Sequence, residues 1–157
     1  IRDCIGEMHN TGLVPSIRKA MSEKPFLAIC VGIQSLMSHS EENNGVDCVG
    51  LLPGQVTYLG DPLVEAGLKL KVPHMGWNNV SFKTDHPLLK DVDSDTYFYF
   101  VHSYHAAPVN PEEVIGECEY IVKFPAIVGR GKLFATQFHP EKSQAPGLRI
   151  YKNFADL

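Results

Sequence analysis

Cys30, His139 and Glu141 are the residues whose types and spacing could do covalent chemistry in this sequence. Cys30 closes the short apolar run Phe26-Leu27-Ala28-Ile29, and Gly32 follows two residues later. The run opens after Pro25 and is too short for a buried helix, so it is expected to be a strand inside a sheet. Ile33, Leu36 and Met37 then recur at helical spacing. Strand, sharp turn and helix, with the cysteine on the turn, is the geometry of a nucleophile elbow. Small neighbours such as Ala28 and Gly32 let the two backbones approach there. The positive end of the helix is expected to favour the thiolate, the reactive form.

A cysteine ending an apolar strand is more often inert core than nucleophile. The balance changes with the run Ala135-Thr136-Gln137-Phe138-His139-Pro140-Glu141-Lys142-Ser143 far down the chain. On an extended backbone His139 and Glu141 point to the same side. The carboxylate can then hold the imidazole in one tautomer while the other ring nitrogen faces a thiol. A Cys, His, Glu triad for attack on an acyl group becomes available.

The elements that must position these residues can be read in outline. Helices are expected over residues 1–10, ending before Gly12, and over residues 14–21, with Pro15 in the first turn. Residues 38–47 are polar and read as an exposed loop, residues 55–59 as a strand, and Gly60-Asp61-Pro62 as a turn. Pro73-His74-Met75-Gly76-Trp77-Asn78-Asn79 reads as a loop. It holds the only tryptophan, which is either a contact residue or a ring closing the edge of the core. Residues 96–101, with Tyr97-Phe98-Tyr99-Phe100 inside, form the strongest strand signal and are expected to be central or to cover one face of a sheet. Further strands are expected over 116–123, 126–129 and 133–138, with a hairpin turn at 129–132, and a closing helix over 147–157. His102 and His105 have an H-x-x-H spacing, but on one strand they would face opposite sides, so a metal site is rejected.

At 157 residues and 44% hydrophobic, the chain suits one domain spanning 1–157. A formal net charge of −4 and the lack of a basic cluster argue against nucleic acid. Cys4, Cys30, Cys48 and Cys118 show no paired spacing, so neither zinc nor a redox pair is indicated, and free thiols fit a cytoplasmic setting. No run reaches membrane-spanning length, the opening residues are not expected to act as a signal peptide, and no phosphate-binding glycine motif points to a cofactor.

The elbow Ala28-Ile29-Cys30-Val31-Gly32-Ile33-Gln34 together with Gln137-Phe138-His139-Pro140-Glu141 resembles the class I (triad) glutamine amidotransferase family. Val72-Pro73-His74-Met75-Gly76-Trp77-Asn78, Tyr99-Phe100-Val101-His102-Ser103-Tyr104 and His139-Pro140-Glu141-Lys142-Ser143 are similar to the branch whose members supply ammonia to a cyclase subunit in histidine biosynthesis. The resemblance implies a flavodoxin-like three-layer α/β sandwich around a mixed, largely parallel sheet, and hydrolysis of glutamine. By position, Cys30 resembles the nucleophile, His139 the general base and later acid, and Glu141 its orienting partner. Val31, Gly32, Gln34, Ser103 and Tyr104 resemble the glutamine-binding positions, with the Val31 amide a candidate oxyanion donor. Trp77, Asn78, Tyr99 and Lys142 resemble the contact with the cyclase subunit. The family's first strands, with a Pro-Gly-Val-Gly turn that supplies oxyanion-hole backbone, have no counterpart here, and the chain is expected to be N-terminally incomplete. Two other readings stand beside this one: a non-catalytic interaction module on the same fold, and a different cysteine hydrolase.

Overall fold

Gly12 ends the first helix and starts the second. In the computed structural model of the chain, which describes residues 1–60 and 70–157, α1 (Arg2–Asn10) closes at Thr11. Gly12 then takes a left-handed φ of 67°, a conformation open to glycine at little cost, and donates its N–H to His9 O at 3.1 Å. Helix α2 (Leu13–Glu23) follows and delivers the chain to β1 (Phe26–Ile29) and the short α3 (Val31–Ser35). The segment expected to be a loop at 38–47 holds two short strands, β2 (His39–Ser40) and β3 (Val46–Asp47), around a 3-10 turn. Then come β4 (Gly54–Tyr58), β5 (His74–Phe82), β6 (Thr96–His102), β7 (Tyr104–Pro108), β8 (Val114–Glu119), β9 (Lys123–Arg130), β10 (Leu133–Thr136) and α4 (Gln144–Ala155). Beyond Gly60, the expected turn at Asp61 and Pro62 lies outside the described residues.

Among the described residues six strands pair in the order β1-β10-β9-β8-β5-β6, and four in the order β3-β2-β4-β7. Alternation along β10 sends Phe134 to one side, where it meets Ile127, Phe138 and Ile150 of α4, and Leu133 and Ala135 to the other, where they meet Ile33 of α3 and Val56 of β4. Helices thus cover both faces of a mixed sheet, as expected for an α/β domain. The expectation of a largely parallel sheet is corrected. Among the described residues only β1/β10 and β2/β4 are parallel. Short turns join β8 to β9 and β9 to β10, and a parallel pair would need a crossover of a dozen residues or more.

The strand over 96–102 is also not central, because β6 ends the six-stranded order. At Tyr99 its outer backbone is met instead by the segment that carries the histidine. His139 N–H donates to Tyr99 O at 2.9 Å, and Tyr99 N–H donates to Ser143 Oγ at 3.0 Å. The Trp77 segment is a strand rather than a loop, paired residue for residue with β6 so that Trp77 faces Tyr99. Its alternation runs backwards: polar His74 and Asn78 turn inward, while Met75 and Trp77 face outward at 62% and 46% exposure. That inversion hid the strand from a reading based on polarity.

Candidate active site

The parallel pairing of β1 and β10 brings the two halves of the site to one end of the sheet. Ile29 lies opposite Thr136, and Cys30 N–H donates to Thr136 O at 2.8 Å, so Cys30 and the 137–141 segment leave their strands side by side. Cys30 has φ 53° and ψ −108°, a backbone conformation that costs a side-chain-bearing residue of order 1–3 kcal/mol and is held by its surroundings. Ile33 N–H already closes on Cys30 O at 3.1 Å, starting α3 at once. A Cβ on Gly32 would sit 3.0 Å from Ala28 Cβ, which is the close strand–helix approach expected from the small residues.

The Cys30 sulfur is half-buried between two polar groups. The thiol donates to Val101 O at 3.8 Å and accepts from Gln137 Nε2 at 4.0 Å. Burial raises its pKa above the ordinary thiol value; the Val31 backbone amide opposes this, Glu141 adds to it, and Lys142 opposes it. The expected bias toward thiolate is therefore corrected: a five-residue helix supplies less than desolvation takes away. The charges of Glu141 and Lys142 also act on the sulfur, consistent with the pairing that brings Cys30 and the 137–141 segment to the same end of the sheet.

His139 Nδ1 lies 2.5 Å from Glu141 Oε1. The contact was expected across an extended backbone, but Glu141 reaches back within a 3-10 turn, Pro140–Lys142, that His139 caps. Burial raises the Glu141 pKa, but a backbone hydrogen bond and His139 outweigh it and hold the carboxyl below its ordinary value. An ionised Glu141 accepts from Nδ1–H, which leaves Nε2 as the basic nitrogen. His139 Nε2 is buried and has no hydrogen-bond partner among the described residues. A nitrogen in that state can take a proton from a thiol and return it to a leaving group.

The residues expected to bind substrate lie around this pair. Val31 and Gly32 form the turn into α3, and Gln34, 6% exposed, donates from Nε2 to Tyr104 O at 2.8 Å. Ser103 is the link between β6 and β7, its carbonyl accepting from Leu59 N–H at 2.9 Å. Trp77, Tyr99 and Lys142 come together on the outer face: Trp77 meets Tyr99 edge-on at 6.0 Å, and Lys142 Nζ lies 5.8 Å over the Tyr99 ring. Asn78 does not join them. Strand alternation turns its side chain to the opposite face, where it donates to Glu119 O at 3.0 Å.

Residues 6–156 match the family model described as glutamine amidotransferase class-I. The chain belongs to the class-I glutamine amidotransferase family. Among similar members of that family, the chain is 51% identical over 154 residues to imidazole glycerol phosphate synthase subunit HisH 1 of Pseudomonas aeruginosa, covering 98% of this chain and 72% of the relative. It is 49% identical over 156 residues to subunit HisH of Methylococcus capsulatus, covering 98% and 72%. A crystal structure of a glutamine amidotransferase superposes with a TM-score of 0.65 at 16% identity, covering 95% of this chain and 69% of that one. A glutamine amidotransferase from Thermotoga maritima superposes with a TM-score of 0.58 at 20% identity, covering 94% and 53%. These two likenesses concern the fold.

Three residues around this amidotransferase site were not singled out from the sequence. Gln137 is fully buried and joins Gln34 Nε2, at 3.3 Å from its Oε1, to the Cys30 sulfur. An amide closing the apolar strand 133–136 was the available signal. Ser143 Oγ donates to His139 O at 2.6 Å, which pins the histidine backbone. Tyr151 read as part of an apolar helix stripe, but its hydroxyl lies 3.4 Å from Glu141 Oε2.

Proposed function

We propose that this amidotransferase hydrolyses glutamine to glutamate and ammonia, and that the ammonia passes to the cyclase subunit of imidazole glycerol phosphate synthase in histidine biosynthesis. The observation that carries the reading is the His139–Glu141 pair, its Nε2 unengaged among the described residues, on the segment that leaves the sheet next to the Cys30 elbow. The half-identical HisH relatives support the pathway and the partner. In this reading His139 takes the Cys30 proton as the sulfur attacks the glutamine side-chain carbonyl. The Val31 amide steadies the oxyanion, and the proton then goes to the departing ammonia. A water, deprotonated by the same nitrogen, cleaves the thioester to glutamate and restores the thiol. The raised thiol pKa fits a nucleophile that is deprotonated as it reacts.

Gln34, with the backbone of Gly32, Ser103 and Tyr104, borders the glutamine position. Met75, Trp77 and Tyr97, exposed on one strand face with Tyr99 and Lys142 beside them, form the surface for the cyclase in a heterodimer. No described helix is long and apolar enough to cross a membrane, which is compatible with a cytoplasmic enzyme. The test is glutamate release from glutamine by the protein mixed with its cyclase. Cys30→Ala should reduce it to background, and turnover unchanged by that substitution would overturn the reading.

A further inference from the structure

Two buried histidines lie between Asn78 and the glutamine-site residue Tyr104, and the hydrogen bonds at both ends dictate where their protons sit. At one end Asn79 N–H donates to Asn78 Oδ1 at 2.9 Å, and Asn78 Nδ2 donates to Glu119 O at 3.0 Å, which fixes the orientation of that amide. Asn78 Nδ2 is also 3.3 Å from His74 Nε2, so this nitrogen must accept. At the other end His102 Nδ1 is 2.9 Å from Tyr104 O, a carbonyl that can only accept, so Nδ1 must donate. Between them His74 Nδ1 lies 3.0 Å from His102 Nε2. With both rings neutral one arrangement satisfies every contact: each histidine carries its proton on Nδ1. A second proton on either ring would set two N–H groups against each other.

The order continues past Tyr104. Its carbonyl accepts from Gln34 Nε2 at 2.8 Å, which orients the Gln34 amide. Gln34 Nε2 then donates to Gln137 Oε1 at 3.3 Å, and this turns Gln137 Nε2 toward the Cys30 sulfur at 4.0 Å. We infer that His102, keyed by His74, is a positioning residue for glutamine recognition, acting through the Tyr104 carbonyl on the Gln34 carboxamide. The inference rests on the glutamine-hydrolysis reading above. The surroundings hold the relay rigid. His74 is 3% exposed and stacked between Tyr120 at 4.0 Å and Phe100 at 4.7 Å, and His102 packs edge-on against Phe124 at 5.0 Å. Burial also pushes the two imidazoles down to about 4 and about 3, keeping both neutral at neutral pH.

Two measurements test this. Long-range nitrogen–proton NMR on the uniformly labelled, unmutated protein should show both His74 and His102 protonated on Nδ1. An Nε2–H tautomer for either ring would overturn the relay, and this readout needs neither substrate nor variant. The second compares His102→Asn, which places an amide N–H where Nδ1–H stood, with His102→Gln, which keeps an acceptor toward His74 but loses the donor to Tyr104. The readout is the glutamine concentration that half-protects Cys30 from iodoacetamide, followed by the kcat and KM of glutamine hydrolysis in the presence of the cyclase. Losing one hydrogen bond to an orienting carbonyl should raise half-protection and KM roughly 3- to 10-fold in His102→Gln, with kcat within about twofold. His102→Asn should stay near the unmutated value. Equal half-protection in both variants would overturn the positioning role alone. No protection in the unmutated protein would overturn the glutamine reading, and this role with it.

Discussion

His139 Nδ1 and Glu141 Oε1 stand 2.5 Å apart across one 3-10 turn, while Tyr151 Oη of α4 lies 3.4 Å from the other carboxylate oxygen. The carboxylate is thus held from both sides, and the ring tautomer follows from it. His139→Ala should lower glutamine turnover by roughly 10²- to 10⁴-fold, the usual contribution of a general acid–base. Glu141→Gln, which keeps an oxygen for Nδ1–H but not its charge, should lose less. Tyr151→Phe removes one long hydrogen bond and should cost no more than about fivefold. Steady-state glutamate release with the cyclase present ranks the three, and a His139→Ala protein of undiminished activity would remove the pair from the mechanism.

Gly147 sets how closely α4 approaches the histidine turn. It lies in the first turn of the helix, where a Cβ would run into the Pro140 carbonyl. Helix propensity alone predicts that Gly147→Ala stabilises the protein by about 0.5–1 kcal/mol. Backbone overlap costs more, about 1–3 kcal/mol for overpacking, so the net effect should be destabilising. Turnover should fall as well, because the displaced turn carries Glu141. Urea unfolding decides the sign, and a stabilised variant would show that α4 can move away freely.

Burial lowers the pKa of four histidines, His74 to about 4, His102 to about 3, and His86 and His105 in the same direction. In the unfolded chain each titrates near 6.5, so at pH 5 the unfolded state holds protons that the folded state refuses. Stability should therefore be present in full above about pH 6.5 and be lost as the pH falls toward 4. His74 and His102 alone account for about two protons taken up at pH 5, a slope of about 2–3 kcal/mol per pH unit. Urea unfolding at pH 7, 6 and 5 measures this, and a flat profile over that range would contradict the burial of the pair.

Trp77 presents its ring outward, 46% exposed, against Tyr99 with Lys142 alongside. Exposed tryptophans backed by a second ring make strong anchors when covered, so Trp77→Ala should weaken cyclase association by about 2 kcal/mol or more. Asn78→Ala should leave the surface intact, because its side chain faces the other way. Titration calorimetry with the cyclase distinguishes them, and equal affinities would place the contact elsewhere.

What could be read from the residues alone was local. The strand, turn and helix around Cys30 follow from a short apolar run, small neighbours and helical spacing over about a dozen residues. Gly12 announced a helix end, and the two-residue spacing of His139 and Glu141 announced their contact, although the backbone between them is 3-10 rather than extended. Periodicity and turn chemistry act through the nearest few peptide units, so sequence carries them directly. What the tertiary structure decided was pairing across long separations. Gln137 meets the Cys30 sulfur across 107 positions, Gln34 meets the Tyr104 carbonyl across 70, and His74 meets His102 across 28. Strand register together with the packing of α3 against the sheet places such partners. Register also turned Asn78 inward, left β6 at an edge that the histidine segment meets at Tyr99, and made most pairings antiparallel. Burial, another property of the folded chain alone, raised the Cys30 pKa against the helix end and kept the histidine relay neutral.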